Sequence, residues 1–336
     1  MTQINLRFLN RAQVEALSPS PEELITIIES GLTAHGRREV VLPPKAHLML
    51  DHLVNGHFNI LPGYVAPIRR AGVKVIGDYV DNWKHRLPSE IALLTLYDPE
   101  TGVPQCLMDA TSLTWQRTGA VTCVGAKYLA RRDSRIVLHL GARGTAFNNL
   151  RLLAHEFKLD EIRIASKRPE TRQQLAARVE RELGVRCRAV EDIAAAARDA
   201  DIVIEATRLE APSVLLPAAA VKPGALIVTY GWKMALDPYT VMNAGKIVVD
   251  DWEQCTKGGA LHPLIASGQL TANKVYAEIG EITCGAKAGR SSAGETIVFW
   301  HRGFAISDIV LGDWIARRAE AQGVGTLLPL QDAADE

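Results

Sequence analysis

The apolar positions change rhythm about a third of the way along the chain. Up to about residue 110 they come in short runs: EVVLP (39–43), HLMLDHLV (47–54), HFNILPGYV (57–65), AGVKVIGDYV (71–80), EIALLTLYD (90–98) and PQCLMDA (104–110). Turn residues divide them, at Asn55-Gly56, at Pro67 and from Pro99 to Gly102. Runs of this kind predict short strands joined by hairpins, hence an antiparallel α+β part. A helix is expected over 21–36, because Ser20 can cap it, Pro21 suits its first position, and Glu22 and Glu23 meet its positive end.

After residue 110 the spacing lengthens. The segment LTWQRTGAVTCVGAKYLA (113–130) reads as one long helix. Short, continuously apolar strands are then expected at 135–140, 161–166, 185–190, 201–207, 225–231 and 246–251, with helices between most of them, for instance at 169–183 and 192–198. Strands apolar on both faces and separated by helices indicate a doubly wound parallel sheet. A last amphipathic helix begins in GFAISDIVLGDWIARRAEA, from residue 303. The fold class expected is α/β, a Rossmann-type parallel sheet beside an α+β part.

Composition narrows the partners. The 336 residues carry 38 Lys+Arg against 38 Asp+Glu, so no bulk charge favours nucleic acid or an anionic membrane surface. The five cysteines are scattered and form no C-x-x-C pair, which argues against a disulfide framework or a zinc knuckle. With no basic start before an apolar run and no stretch of about 18 apolar residues, the expected compartment is the cytoplasm.

The sharpest chemical signal follows the strand at 135–140: Gly141-Ala142-Arg143-Gly144-Thr145-Ala146. A dinucleotide fold needs a tight turn there, and amides at a helix start for the pyrophosphate. Gly141 and Ala146 suit G-x-G-x-x-G/A, but Arg143 takes the middle glycine's place, where a side chain either obstructs the pyrophosphate or swings out to pair with it. At the end of the next strand stand Ser166, Lys167 and Arg168, where an acid would bind a ribose 2′-hydroxyl. A hydroxyl and two cations suit a 2′-phosphate, so NADP(H) is expected over NAD(H). There is no G-x-S-x-G, Walker A or H-E-x-x-H motif. His47, His52 and His57 recur every five residues, on neither a helix nor a strand face, and read as surface histidines rather than metal ligands.

Several phrases combine in order: LPPKAH (42–47), GYV (63–65), AGVKVIG (71–77), LTLYDPETGVPQCLMDATSLTWQRTGAV (94–121), KYLA (127–130), GARGTA (141–146), DADIVIEAT (199–207), KPGALIVTYG (222–231), GRSSAGETIVF (289–299) and GFAISD (303–308). The set resembles the ornithine cyclodeaminase/mu-crystallin family, which also holds amino-acid dehydrogenases and ketimine reductases. The resemblance implies a homodimer in which residues 1–125 with 303–336 bind substrate and dimerise, residues 126–302 form the NAD(P) domain, and the site lies in the cleft between the domains. It places Lys45, Lys74 and Arg117 at the substrate: Arg117 and Lys45 on its carboxylate, Lys74 beside the reacting carbon. It places Ser89, Thr118, Thr207 and Gly231 with the cofactor.

One departure matters. Where cyclodeaminases carry an aspartate that handles protons during ring closure, this chain has Lys233, beside Trp232, and Asp237 matches the aspartate that starts the next helix. A charged lysine accepts no proton and repels ornithine's δ-ammonium. His301, in VFWHRGF, offers a further donor or proton relay. Four cations (Lys45, Lys74, Arg117, Lys233) converging on one cleft suggest a substrate rich in carboxylate. The expected activity is NAD(P)H-dependent reduction of a small imino acid or ketimine, or amino-acid dehydrogenation. The competing readings are ornithine cyclodeamination with recycled NAD and non-catalytic binding of NADPH and ligand.

Overall fold

The computed structural model describes residues 3–50 and 52–331. The chain divides into two compact units, Met1–Arg117 with Phe304–Glu336, and Thr118–Gly303. The division falls inside the long helix Thr111–Leu129, ahead of the sequence-based boundary at 125.

In chain order the first unit contributes β1 (Ile4–Leu9), β2 (Val40–Val41), β3 (Ala46–Met49), β4 (Gly56–Val65), β5 (Arg70–Tyr79), β6 (Glu90–Tyr97) and β7 (Pro104–Asp109). The second contributes β8 (Ile136–Leu140), β9 (Glu161–Ala165), β10 (Cys187–Val190), β11 (Ile202–Glu205), β12 (Leu226–Thr229), β13 (Lys246–Val249), β14 (Ala277–Glu278) and β15 (Ile297–Trp300). The chain then returns to the first unit with the helix Ala305–Ala321 and β16 (Thr326–Gln331).

The first sheet runs β16-β1-β7-β6-β5-β4-β2, with β3 also on β4. All its pairings are antiparallel except β1 with β7. Period-two alternation gives it two faces. Leu61, Lys74, Leu94 and Met108 stand opposite one another across four strands and are buried. Their strand neighbours Val75, Ile91 and Leu93 point the other way and are exposed. The helix Ala305–Ala321 lies on the buried face beside the helix Pro21–Gly36, which opens with the expected cap: Ser20 Oγ accepts from Glu23 N, and the Glu23 carboxylate accepts from Ser20 N. Contact between helix and sheet is close. A Cβ at Gly312 would lie 2.3 Å from Leu94 Cδ2, and one at Gly72 2.9 Å from Ile309 Cγ1, so both positions need glycine. The run 47–54 is strand only as far as Met49, and its middle, Asp51, lies outside the described residues.

The second sheet, β10-β9-β8-β11-β12-β15-β13-β14, is parallel throughout. Strands β11, β12, β13 and β15 are buried at every residue, as a sheet covered on both faces requires. Two strands of this sheet escaped the sequence reading, the four-residue β15 after a glycine- and serine-rich loop and the two-residue β14; so did β1 and β16 in the first sheet, the latter lying in a tail read only as helix. Because β15 inserts between β12 and β13, the strands read as fifth and sixth are not neighbours. No helix among the described residues is long and apolar enough to cross a membrane. All five cysteines are free.

Candidate functional site

In the second unit the loop after β8 is built for close approach. Gly141 has φ +105, and a Cβ there would stand 2.6 Å from Ala206 O. Gly144, at φ +55, makes the second left-handed turn, one residue after Arg143. Arg143, in the middle glycine's place, is exposed. The helix Ala146–Glu156 starts immediately afterwards, and its N-cap Thr145 makes no side-chain cap bond. Ala146 N donates to Arg143 O at 3.2 Å, and the rest of this helix start faces an anion without competition from a side-chain cap.

A buried network holds this loop. His139 Nδ1 lies 2.8 Å from Gly141 O, and Asn149 Nδ2 reaches His139 Nε2 at 2.9 Å. Burial pushes the His139 imidazole down to about 4, against the pull of its bond to Gly141. The ring is therefore neutral at pH 7; it donates from Nδ1 and accepts at Nε2. Asn149 also donates to Tyr230 Oη at 2.6 Å, and Tyr230 Oη is 2.6 Å from Thr145 Oγ1. The Tyr230 ring stacks on His301 at 4.7 Å, and His301 Nε2 is 3.0 Å from Thr122 Oγ1. His301 is thus a buried part of this frame.

At the carboxyl end of β11, Glu205 is fully buried and accepts from Thr207 N (2.8 Å), Thr207 Oγ1 (2.5 Å) and Thr229 Oγ1 (2.7 Å), and from the Gly231 amide. Burial raises its carboxyl, and these donors pull the other way. Thr207 and Gly231 therefore both serve Glu205, which sequence reasoning missed because it reads as one acid inside DADIVIEAT. Ser166 donates its hydroxyl to Arg168 O at 3.0 Å and shapes the turn, leaving Lys167 and Arg168 exposed at the end of β9. Thr118 is buried in the long helix. Lys233 is half-buried after the exposed Trp232, whose ring faces the Arg302 guanidinium at 5.4 Å. Asp237 caps the short helix Pro238–Met242, accepting from Tyr239 N at 2.9 Å.

In the first unit the structure joins two of the expected residues through a third. Lys74 is 1 % exposed on the inner face of β5. Its Nζ donates to Asp308 Oδ1 at 2.7 Å and to Thr114 Oγ1 at 3.2 Å. Arg117, one helical turn beyond Thr114, donates from Nε to the same Asp308 Oδ1 at 2.9 Å. Asp308 is the fourth residue of the helix Ala305–Ala321 and has no exposed surface. Burial pulls the Lys74 ammonium down to about 8; Arg117 adds to that, while Asp308 and Glu90 act against it. Lys74 is therefore a group that exchanges its proton near neutral pH, as acid–base work requires.

Counting cations alone missed this acid. One buried carboxylate shared by Lys74 and Arg117 lowers their combined charge to +1, which weakens the case for a substrate with several carboxylates. The sequence signal was present in GFAISD: a charged residue among apolar ones at the start of a helix. Lys45 is half-buried just before β3, and Ser89 is exposed just before β6, where its carbonyl accepts from Tyr79 N at 2.8 Å.

The chain has clear relatives. The alanine dehydrogenase of Archaeoglobus fulgidus is 30% identical over 322 residues, 95% of this chain and 96% of that protein. The Delta(1)-pyrroline-2-carboxylate reductase of Thermococcus litoralis, solved in complex with NADH and L-proline, has a TM-score of 0.89 at 30% identity, covering 95% of this chain and 99% of that one. An archaeal alanine dehydrogenase dimer with bound NAD reaches 0.91 at 28% identity over 98% of this chain and 100% of that one. With residues 5–323 matching its sequence profile, this chain belongs to the ornithine cyclodeaminase/mu-crystallin family.

Proposed function

We propose that the protein is an NAD(P)H-dependent oxidoreductase that interconverts a small 2-imino acid, or cyclic ketimine, with its amino acid. The observation that carries this reading is the buried Lys74–Asp308–Arg117 cluster. A bound nicotinamide would supply the hydride. Arg117 is anchored through Nε, so a substrate carboxylate would meet its Nη edge, the geometry that binds both oxygens at once. Lys74 holds a proton that it can release near neutral pH. As C=N becomes CH–N, a lone pair appears on nitrogen and takes that proton; in the oxidative direction neutral Lys74 takes it back.

The residues of the second unit fit a dinucleotide. Gly141 leaves the space a Cβ would fill, and the following helix opens without a side-chain cap. The exposed Lys167 and Arg168 at the end of β9, where an acid would bind a ribose 2′-hydroxyl, support NADP(H) over NAD(H). The exposed Arg143 can add a charge to the pyrophosphate. A homodimer is supported by the outer face of the first sheet, where Val75, Ile91 and Leu93 lie exposed together and Leu327, Leu328 and Leu330 line the edge strand β16.

The test is steady-state turnover with NADPH and with NADH on 2-imino acids of neutral, acidic and basic side chain, and on cyclic ketimines. Imine-dependent oxidation of the cofactor supports the reading. Release of ammonia from ornithine without added reductant would favour the cyclodeaminase instead, and tight NADPH binding with no turnover would favour a binding protein.

A further inference from the structure

Asp308 carries an oxygen that the cluster leaves unused. Its Oδ1 takes both Lys74 Nζ and Arg117 Nε, whereas Oδ2 is buried and has no hydrogen-bond partner among the described residues. A buried carboxylate oxygen without a donor is costly, and native structures seldom leave one unless a ligand or water fills it. The other acid on this helix face shows the contrast. Asp313 is nearly as buried, and both its oxygens are engaged, Oδ1 by Arg70 Nε at 2.7 Å and Oδ2 by Arg317 Nε at 2.6 Å.

Resting on the function proposed above, we propose that Asp308 Oδ2 accepts the N–H of the substrate's reacting nitrogen, and thereby selects a protonated imine or an ammonium over the corresponding 2-oxo acid. Arg117 and Lys74, the two groups assigned to substrate, are both tied to this carboxylate. A 2-imino acid carries its carboxylate and its nitrogen on adjacent carbons. A carboxylate at Arg117 and an N–H at the same arginine's counter-ion are therefore the two ends of one small ligand. An oxo acid would instead turn a carbonyl oxygen towards Oδ2, setting two acceptors against each other, and a site discriminates by such repulsion as well as by attraction. The charged groups acting on Lys74 are Arg117, Asp308 and Glu90, and Glu90 itself accepts from Trp115 Nε1 at 3.2 Å.

Two planar, unreactive carboxylates separate the possibilities without turnover. Pyrrole-2-carboxylate carries an N–H beside its carboxylate, and furan-2-carboxylate carries a ring oxygen at that point. Each is titrated calorimetrically into the full-length protein saturated with oxidised dinucleotide. Wild type is expected to bind the pyrrole about tenfold or more tighter, the usual worth of a hydrogen bond to a charged acceptor. Asp308→Asn, which can turn an amide N–H towards the furan oxygen, should abolish or reverse that preference. Asp313→Asn, which breaks the neighbouring ion pairs only, should keep it. Equal affinity of wild type for the two, or a preference that survives in Asp308→Asn, overturns the assignment of Asp308 while leaving the carboxylate site standing. Failure of both compounds to bind overturns the carboxylate site itself and the assignment with it. The wild-type ratio decides the matter even if Asp308→Asn does not fold.

Discussion

Changing pH across the Lys74 titration should alter stability by an amount the structure sets. The Lys74 ammonium falls from the ordinary 10.5 to about 8 in the fold, chiefly through burial. Between those two values the unfolded chain holds a proton at Lys74 that the folded chain has released, so stability rises with pH. Above 10.5 both states are neutral there; below about 8 both are charged and the native state bears the whole cost. That difference is worth about 3 kcal/mol, at about 1.4 kcal/mol for each pKa unit. Lys74 is fully buried, so solvent offers no discount. Urea unfolding of wild type and Lys74→Met across a pH series isolates the effect, because other titrating groups largely cancel in the difference. The difference should be flat below pH about 8 and move by about 3 kcal/mol in favour of wild type on the way to 10.5. A difference that stays constant across this range, or that moves the other way, would refute the reasoning.

Other consequences are equally direct. Gly141→Ala sets a Cβ 2.6 Å from Ala206 O at φ +105; dinucleotide affinity by fluorescence titration should fall by more than about tenfold, with about 1–3 kcal/mol lost in stability. Reversing charge at Lys167 and Arg168 together should lower the affinity for NADPH by about tenfold or more while leaving NADH within about threefold, as a lost 2′-phosphate contact requires. Arg117→Lys keeps the charge and loses the planar fork, so KM for the imino acid should rise about tenfold or more in initial-rate assays. Leu93→Asp on the exposed sheet face should convert a dimer into monomers by light scattering, with the dinucleotide affinity of the monomer retained.

What the sequence showed and what it hid follow from range. The capped helix Pro21–Gly36 and the glycine turn at 141 were legible because their signals are local: a serine, a proline and two acids in one case, a strand followed by glycine in the other. The parallel sheet was legible because strands buried on both faces are apolar at most positions. The strand β15 was not, since a four-residue strand after a glycine- and serine-rich stretch carries little periodicity, and only the sheet shows that it fits between β12 and β13. The same holds at the site. Lys74 and Arg117 were expected from the family phrases, but Asp308 is 234 and 191 residues away from them and is joined to them by tertiary packing alone. It changes the chemistry: Lys74 and Arg117, two of the four cations expected to converge, form with it a cluster bearing one net charge, with one carboxylate oxygen to spare. Glu205 was hidden similarly, because its donors come from two strands and the loops after them.

The most direct test of the central claim follows the absorbance of reduced nicotinamide while the purified protein meets a cyclic 2-imino acid, with wild type and Lys74→Met compared side by side. Imine-dependent oxidation by wild type is expected, falling as pH rises past about 8, and lost by at least about a hundredfold in Lys74→Met. Oxidation that proceeds equally well in the variant, or ornithine-dependent ammonia release in place of imine reduction, would contradict the account.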